Sequence, residues 1–330
     1  MRLGGRDCNF MRRLIRQFYK IFLGRIIFFI KEDVKAGIRY KQGRIETDSG
    51  TIHKSLSITE SVDYINNVFA DYLQYSGKER FSGRAAEVGP GDNSGVALLF
   101  RDTGCDQVDL LDRFYSRRDS SHEADIYAHL ASRRHSIKQF IQVGEDGKNV
   151  LSGVDRYYGN DASAENFFHS RLGQYEVIFS RAVLEHVQDV EAAIGSMSDG
   201  LRKGGVMIHK IDLRDHGMFS DRWHELKWLA VPSLLWKWLS RHSGSPNRTL
   251  FPEYVRIADK YGLDATFLVT RLAGVGDIVP HLSWDNIPEN QRNQALSFVK
   301  SVRSHVCAQF KNFSDQDLAI TGLFMIARKV

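Results

Sequence analysis

Glu87-Val88-Gly89-Pro90-Gly91-Asp92-Asn93-Ser94-Gly95, then Val108-Asp109-Leu110-Leu111-Asp112, is the stretch whose reading decides the fold. The first segment ends a short apolar strand with an acid and then turns on glycines, which let the chain bend tightly and approach a ligand through its backbone. The second segment is another apolar strand closing on a carboxylate. A strand, a glycine turn, a helix and a second strand ending in an acid describe a βαβ nucleotide site, with the acid placed for ribose hydroxyls.

The glycine spacing selects among nucleotides. Dinucleotide sites carry G-x-G-x-x-G, and here Gly89 and Gly91 fit, but Ser94 occupies the third position and Gly95 comes one residue late. That departure weakens the case for a pyrophosphate against a helix N-terminus and disfavours a nicotinamide-dependent oxidoreductase. Glu87 would repel a pyrophosphate, yet suits a ligand carrying a cationic amino-acid group. Taken alone, the loop is also compatible with a simple tight turn.

The chain of 330 residues is 42% hydrophobic and 26% charged, ordinary for a globular protein. The net charge of +5 is concentrated at the N-terminus. Lys and Arg recur through the first 45 residues against only Asp7, Glu32 and Asp33. No chain-wide nucleic-acid footprint follows. Cys8, Cys105 and Cys307 are scattered, without C-x-x-C, which points to a reduced, cytoplasmic setting. No apolar run is long enough to span a membrane. Residues 10–31 predict a basic helix rich in Phe, Ile and Leu. Such a helix either lies at an anionic membrane interface, placing the protein at the inner face of a membrane, or packs on the domain and covers its substrate site.

Apolar periodicity predicts a helix over 58–77, strands at 85–88, 107–111, 154–158 and 176–180, and helices over 119–141 and 190–201. Gly204-Gly205 reads as a helix stop before a strand over 206–213. Residues 214–250 hold Trp223, Trp228, Trp236 and Trp238, an aromatic insertion that reads as a lid. Helices over 252–261 and 288–310 and strands at 265–269 and 319–327 complete the chain. The domain reading is an extension over 1–55 and an α/β domain over 56–330. Seven strands in this order predict an open, mostly parallel sheet with helices on both faces.

In such sheets, ligands lie beyond the carboxyl ends of the strands. Those ends supply Glu87, Asp112, Asp161, Ser180-Arg181 and Asp212. With Tyr175-Glu176-Val177-Ile178-Phe179-Ser180-Arg181 continuing to Val187, Leu201-Arg202-Lys203-Gly204-Gly205-Val206 and Asn160-Asp161-Ala162, the chain resembles class I S-adenosylmethionine (SAM) methyltransferases over roughly residues 84–215. The resemblance implies a Rossmann-like fold and SAM as cofactor. It gives Gly89, Pro90 and Gly91 the approach to the methionine part, with Glu87 beneath. Asp112 would accept from the ribose hydroxyls, Arg113 and Phe114 would flank the adenine, Asp161 and Ala162 would hold its edge, and Ser180-Arg181 would line the aminoacyl end.

Methyl transfer to a hydroxyl needs alignment and a base. His216 is the foremost candidate, oriented by Asp212 or Asp215, with His186 and His209 as alternatives. Asp212, Asp215 and His216 also form a candidate Mg2+ set. His209 to His216 and the downstream Pro246-Asn247-Arg248 resemble methyltransferases associated with bacterial surface polysaccharides. That resemblance implies a saccharide or glycolipid acceptor. The alternatives are a lipid or quinone-like acceptor, or a SAM-binding, membrane-associated scaffold without catalysis.

Overall fold

The computed structural model describes the main chain of residues 5–20 and all atoms of residues 21–145 and 149–330. Helix α1 (Gly5–Lys41) is followed by α2 (Ile58–Ser76), strand β1 (Gly83–Val88), α3 (Gly95–Thr103), β2 (Cys105–Asp112) and α4 (Ser120–Arg133). Then come β3 (Val154–Tyr158), β4 (Tyr175–Arg181), α5 (Val190–Gly200), β5 (Leu201–Asp212), α6 (Ser233–Ser240) and α7 (Phe251–Lys260). The chain closes with β6 (Leu263–Leu272), β7 (Gly276–Leu282), α8 (Glu289–Val302), α9 (Asp315–Ala319) and β8 (Ile320–Lys329).

These strands form one sheet in the order β7-β6-β8-β5-β4-β1-β2-β3. Strands β1 to β5 pair in parallel, β8 runs antiparallel between β5 and β6, and β7 is an antiparallel edge. The centre is fully covered, as Val177, Ile178 and Phe179 of β4 illustrate, each without exposed surface. Such continuous apolar runs mark parallel strands buried on both faces. Successive residues face opposite cores: Ala85, Val177 and Phe179 meet α2, α3 and α4, while Ala86, Val88 and Ile178 meet the other layer. Ser57 and Glu60 cap α2 reciprocally, with Ser57 N donating to Glu60 Oε2 at 2.8 Å and Glu60 N to Ser57 Oγ at 3.3 Å. The helix buries Ile65, Val68, Phe69 and Tyr72 at the spacing of one helical face.

The sheet has eight strands in place of the seven expected. Strand β7 contains Pro280, which hides a strand in the sequence and is tolerated because this one is an edge. Helix α4 ends at Arg133, and His135–Phe140 continues only as a 3-10 turn. Helix α8 ends at Val302, short of residue 310. Gly204-Gly205 is no helix stop, since α5 already ends at Gly200. Tyr175 pairs with Leu201 but Val177 with Val206, so the glycines sit in a bulge of β5.

The insertion after β5 extends the core on one face of the sheet. Trp228 and Trp236 are buried, Trp236 Nε1 donates to Pro246 O at 2.9 Å, and Trp238 faces outward. Helix α1 packs on this insertion. Ile26 is buried, Phe22 meets Phe219 and Trp223 with ring centroids 5.2 and 5.6 Å apart, and the buried Asp33 accepts from His242 N at 2.7 Å and Ser243 N at 2.8 Å. Within residues 10–31, this packing holds from Ile21 onward; the side chains of 10–20 lie outside the described residues.

Candidate active site

A cavity of about 610 Å³ opens at the carboxyl ends of β1, β2 and β4. Its floor is Glu87 to Gly91 with Asp112, Arg113 and Phe114. One wall is Ser163–Glu165 and another Arg181 to Val183. His186 and His216 enter from the far side, and Ala36 and Arg39 of α1 with residues 240–244 close over it.

The glycine loop is held from below and above. Gly89 N donates to Leu111 O at 2.8 Å. Gly91 has φ +65°, and a Cβ there would sit 2.5 Å from the carbonyl oxygen of Gly50. A Cβ on Gly89 would run into Val183. These glycines therefore make room for neighbouring protein as well as for the turn. Asp92 N donates to Gly50 O at 3.0 Å, and the Asp92 carboxylate accepts from Lys54 N at 3.0 Å. Behind the loop, the enclosed Arg118 donates to Gly91 O at 3.1 Å, Ser94 Oγ at 3.3 Å and Glu123 at 2.8 Å, and Arg156 donates to Ser94 Oγ at 2.7 Å. Neither arginine is legible from sequence, because the contacts join segments remote in the chain.

Glu87 is buried, and its Oε2 has no hydrogen-bond partner. Burial pushes its carboxyl up to about 8, against the opposing pull of Arg118 and Arg156. Asp112 accepts from Phe114 N at 2.9 Å, and burial pushes it up to about 6. Arg113 pairs with Glu165 at 3.7 Å, and Phe114 meets Tyr40 of α1 edge-on. Arg181 lines the cavity while donating to Asp71 at 2.8 Å.

Five expected site residues lie elsewhere. Asp161 is exposed and Ala162 is in the core; the 3-10 turn Asn160–Ala162 carries the chain past them, so the wall is Ser163–Glu165. Ser180 and His209 are side-by-side strand residues, hydrogen-bonded at 2.7 Å inside the sheet. His209 has no exposed surface, burial pushes its pKa to about 3, and it does not line the cavity. Asp215 is also sealed. Its carboxylate accepts from Gly217 N at 3.1 Å, Phe219 N at 2.6 Å, Ser220 N at 2.9 Å and the Ser220 hydroxyl. It fixes the turn carrying His216 and has no capacity left for a base or a cation.

The remaining candidates converge. His216 Nε2 stands 3.7 Å from Asp212 Oδ2 and 3.9 Å from Glu185 Oε1. Burial pushes Asp212 up, but Arg214, donating at 2.8 and 2.6 Å, brings it below its ordinary value. His186 meets His216 edge-on with centroids 4.8 Å apart, and its Nδ1 donates to Gly244 O at 2.6 Å. Burial, then the charge of His216, pushes His186 down to about 4. Asn247 was not anticipated as a site residue. Its side-chain amide donates to Leu184 O at 2.7 Å and Val187 O at 3.1 Å, and its N–H donates to Glu185 O at 2.7 Å, so it clamps the segment bearing Glu185 and His186.

Comparison with solved structures finds phosphoethanolamine N-methyltransferase 2 of Haemonchus contortus in complex with SAM. It is 14% identical with a TM-score of 0.41, covering 80% of this chain and 52% of that one. The chain thus spans about half the length of that relative. Geranyl diphosphate C-methyltransferase of Streptomyces coelicolor A3(2), in complex with Mg2+, geranyl diphosphate and S-adenosylhomocysteine, is 12% identical with a TM-score of 0.42, covering 83% and 82%. The YcgJ protein of Bacillus subtilis is 12% identical with a TM-score of 0.41, covering 80% and 98%. No curated protein matches the sequence. The model of a methyltransferase domain matches residues 63–265, more than half of the chain and the whole of the sheet from β1 to β5. With its parallel order of β3-β2-β1-β4-β5 and the antiparallel β8 beyond, this is the Rossmann-like class I methyltransferase fold, and the chain belongs to the methyltransferase domain family.

Proposed function

We propose that the protein transfers a methyl group from SAM to a hydroxyl of a polar small molecule, a saccharide or the headgroup of a glycolipid. The observation that carries this reading is a single cavity with Glu87, the glycine loop and Asp112 on its floor and the two imidazoles of His186 and His216 facing them. The unpartnered carboxyl of Glu87 fits the ammonium of the cofactor, and Asp112 keeps acceptor capacity for ribose hydroxyls beyond its bond to Phe114. When bound, SAM supplies a sulfonium methyl open to in-line attack. His216 takes the proton of the attacking hydroxyl, and the Asp212 carboxylate faces the charge it gains.

We assign the acceptor to the part of the cavity away from the glycine loop, where several polar side chains lie. Arg39, Arg44, Gln188, Ser240, Arg241 and Ser243 line it, and the four tryptophans do not. This favours a hydroxylated, anionic acceptor over a quinone-like one, though not by aromatic stacking. Of Arg222, His224, Lys227 and Arg241 in the insertion, only Arg241 is at the cavity. A lipid-linked acceptor draws support from α1, whose outward face shows Leu23, Ile27, Phe28, Val34 and Ile38, each about half exposed, beside the exposed Lys31, Lys35 and Arg39. This is the composition of a helix that rests on an anionic membrane surface. No helix among the described residues is long and apolar enough to cross one.

The test is transfer of labelled methyl from SAM to nucleotide sugars and lipid-linked saccharides. His216→Ala should lower kcat by about 10²- to 10⁴-fold at unchanged SAM affinity. Wild-type turnover in that variant sinks the base assignment. SAM binding with no transfer to any hydroxyl, amine or thiol acceptor would make the protein a binding scaffold.

A further inference from the structure

Glu185, His186 and His216 each present a ligand atom within 4.8 Å of the others. Glu185 is 2% exposed; its Oε1 accepts from Asp212 N at 3.3 Å, and its Oε2 has no hydrogen-bond partner. A buried carboxylate oxygen left without a partner is costly unless the group takes up a proton or meets something cationic. His186 spends Nδ1 on Gly244 O, which fixes the ring and leaves Nε2 as its free donor atom. That is the outer-sphere bond which orients metal-ligating histidines. His216 turns Nε2 toward Glu185, on a turn pinned by Asp215.

We propose that Glu185, His186 and His216 bind a divalent transition-metal ion, of the Zn2+, Fe2+, Mn2+ or Co2+ class, with open positions facing the cavity. Two imidazoles and one carboxylate favour such ions over Mg2+ or Ca2+, which prefer all-oxygen shells. The set differs from the one suggested by sequence, because Asp215 is committed to its own turn while Glu185 comes from the loop after β4. The inference rests on the reading of this cavity as the transfer site, and deepens it. In the metal-free protein His216 is the base; with the ion bound it would be a ligand, and the ion would supply the activation of the hydroxyl.

The probe is Co2+ added to chelator-treated full-length protein, followed by its visible absorption bands, with SAM titrated into the same sample. One Co2+ per chain is expected, with binding weakened at least about tenfold in Glu185→Gln and in His186→Gln, each checked as folded by its thermal melt. Absence of cobalt bands in protein that binds SAM overturns the metal site and leaves the transfer site standing. Cobalt binding unaffected by both variants also overturns it. Cobalt binding lost in the variants, in protein that never binds SAM, keeps the metal site and removes the transfer reading.

Discussion

The carbonyl oxygen of Gly50 lies 2.5 Å from the point that a Cβ on Gly91 would occupy. The segment that precedes α2 is thereby built into the cofactor loop. Gly91→Ala adds a side chain at φ +65° and pushes Gly50 away, which should cost at least about 1–2 kcal/mol and weaken SAM binding. Thermal melts and a SAM titration check both effects. Unchanged stability would mean that the 49–54 segment is free to move off the loop.

Glu87 carries a pH signature. Its carboxyl is pushed from the ordinary 4.5 to about 8, so across that window the folded protein keeps a proton that the unfolded chain has released. Stability therefore falls as pH rises through the window. Glu87→Gln should remove that dependence and be more stable than wild type in alkaline buffer, while binding SAM more weakly. In the wild type, SAM affinity should rise with pH as Asp112 ionises near 6 and Glu87 near 8. A flat affinity profile would show that neither carboxylate faces the ligand.

Asn247 tests the clamp. Losing its bonds to Leu184 and Val187 should cost about 1–3 kcal/mol and loosen Glu185 and His186. Asn247→Ala should lower methyl transfer by roughly tenfold or more, since misplacement of catalytic groups is expensive, with SAM affinity nearly unchanged. Equal losses in both readouts would mark Asn247 as structural alone.

The outward face of α1 predicts membrane behaviour. Ile27→Glu with Phe28→Glu should reduce co-sedimentation with anionic phospholipid vesicles by roughly tenfold or more, without altering SAM binding. Wild-type protein that ignores such vesicles ends this reading.

The centre of the fold was legible because β1, β2 and β4 are apolar runs with Glu87, Asp112 and Arg181 at or next to their ends, and strand ends dictate where ligands go. Strand β7 was hidden by Pro280, and the bulge of β5 by two glycines that read equally well as a helix stop. At the site, His186, Asp212 and His216 were readable as polar residues at or shortly beyond strand ends, and they lie close to Glu185. His209 and Ser180 misled because strand position does not reveal a bond made sideways within the sheet. Asp215 misled because a carboxylate that caps its own turn looks the same in sequence as one that serves a ligand. Asp161 missed the wall by two residues, a 3-10 turn's difference. Arg118, Arg156 and Asn247 act across long sequence separations and leave no local pattern.

Calorimetric titration of the purified protein with SAM and S-adenosylhomocysteine, beside Asp112→Ala, is the most direct test of the cofactor site. Saturable one-to-one binding of both is expected, weakened in the variant by about 1.5–3 kcal/mol, the worth of hydrogen bonds to an ionised carboxylate. No binding by the folded wild type, or equal binding by the variant, would contradict the assignment of this cavity to SAM.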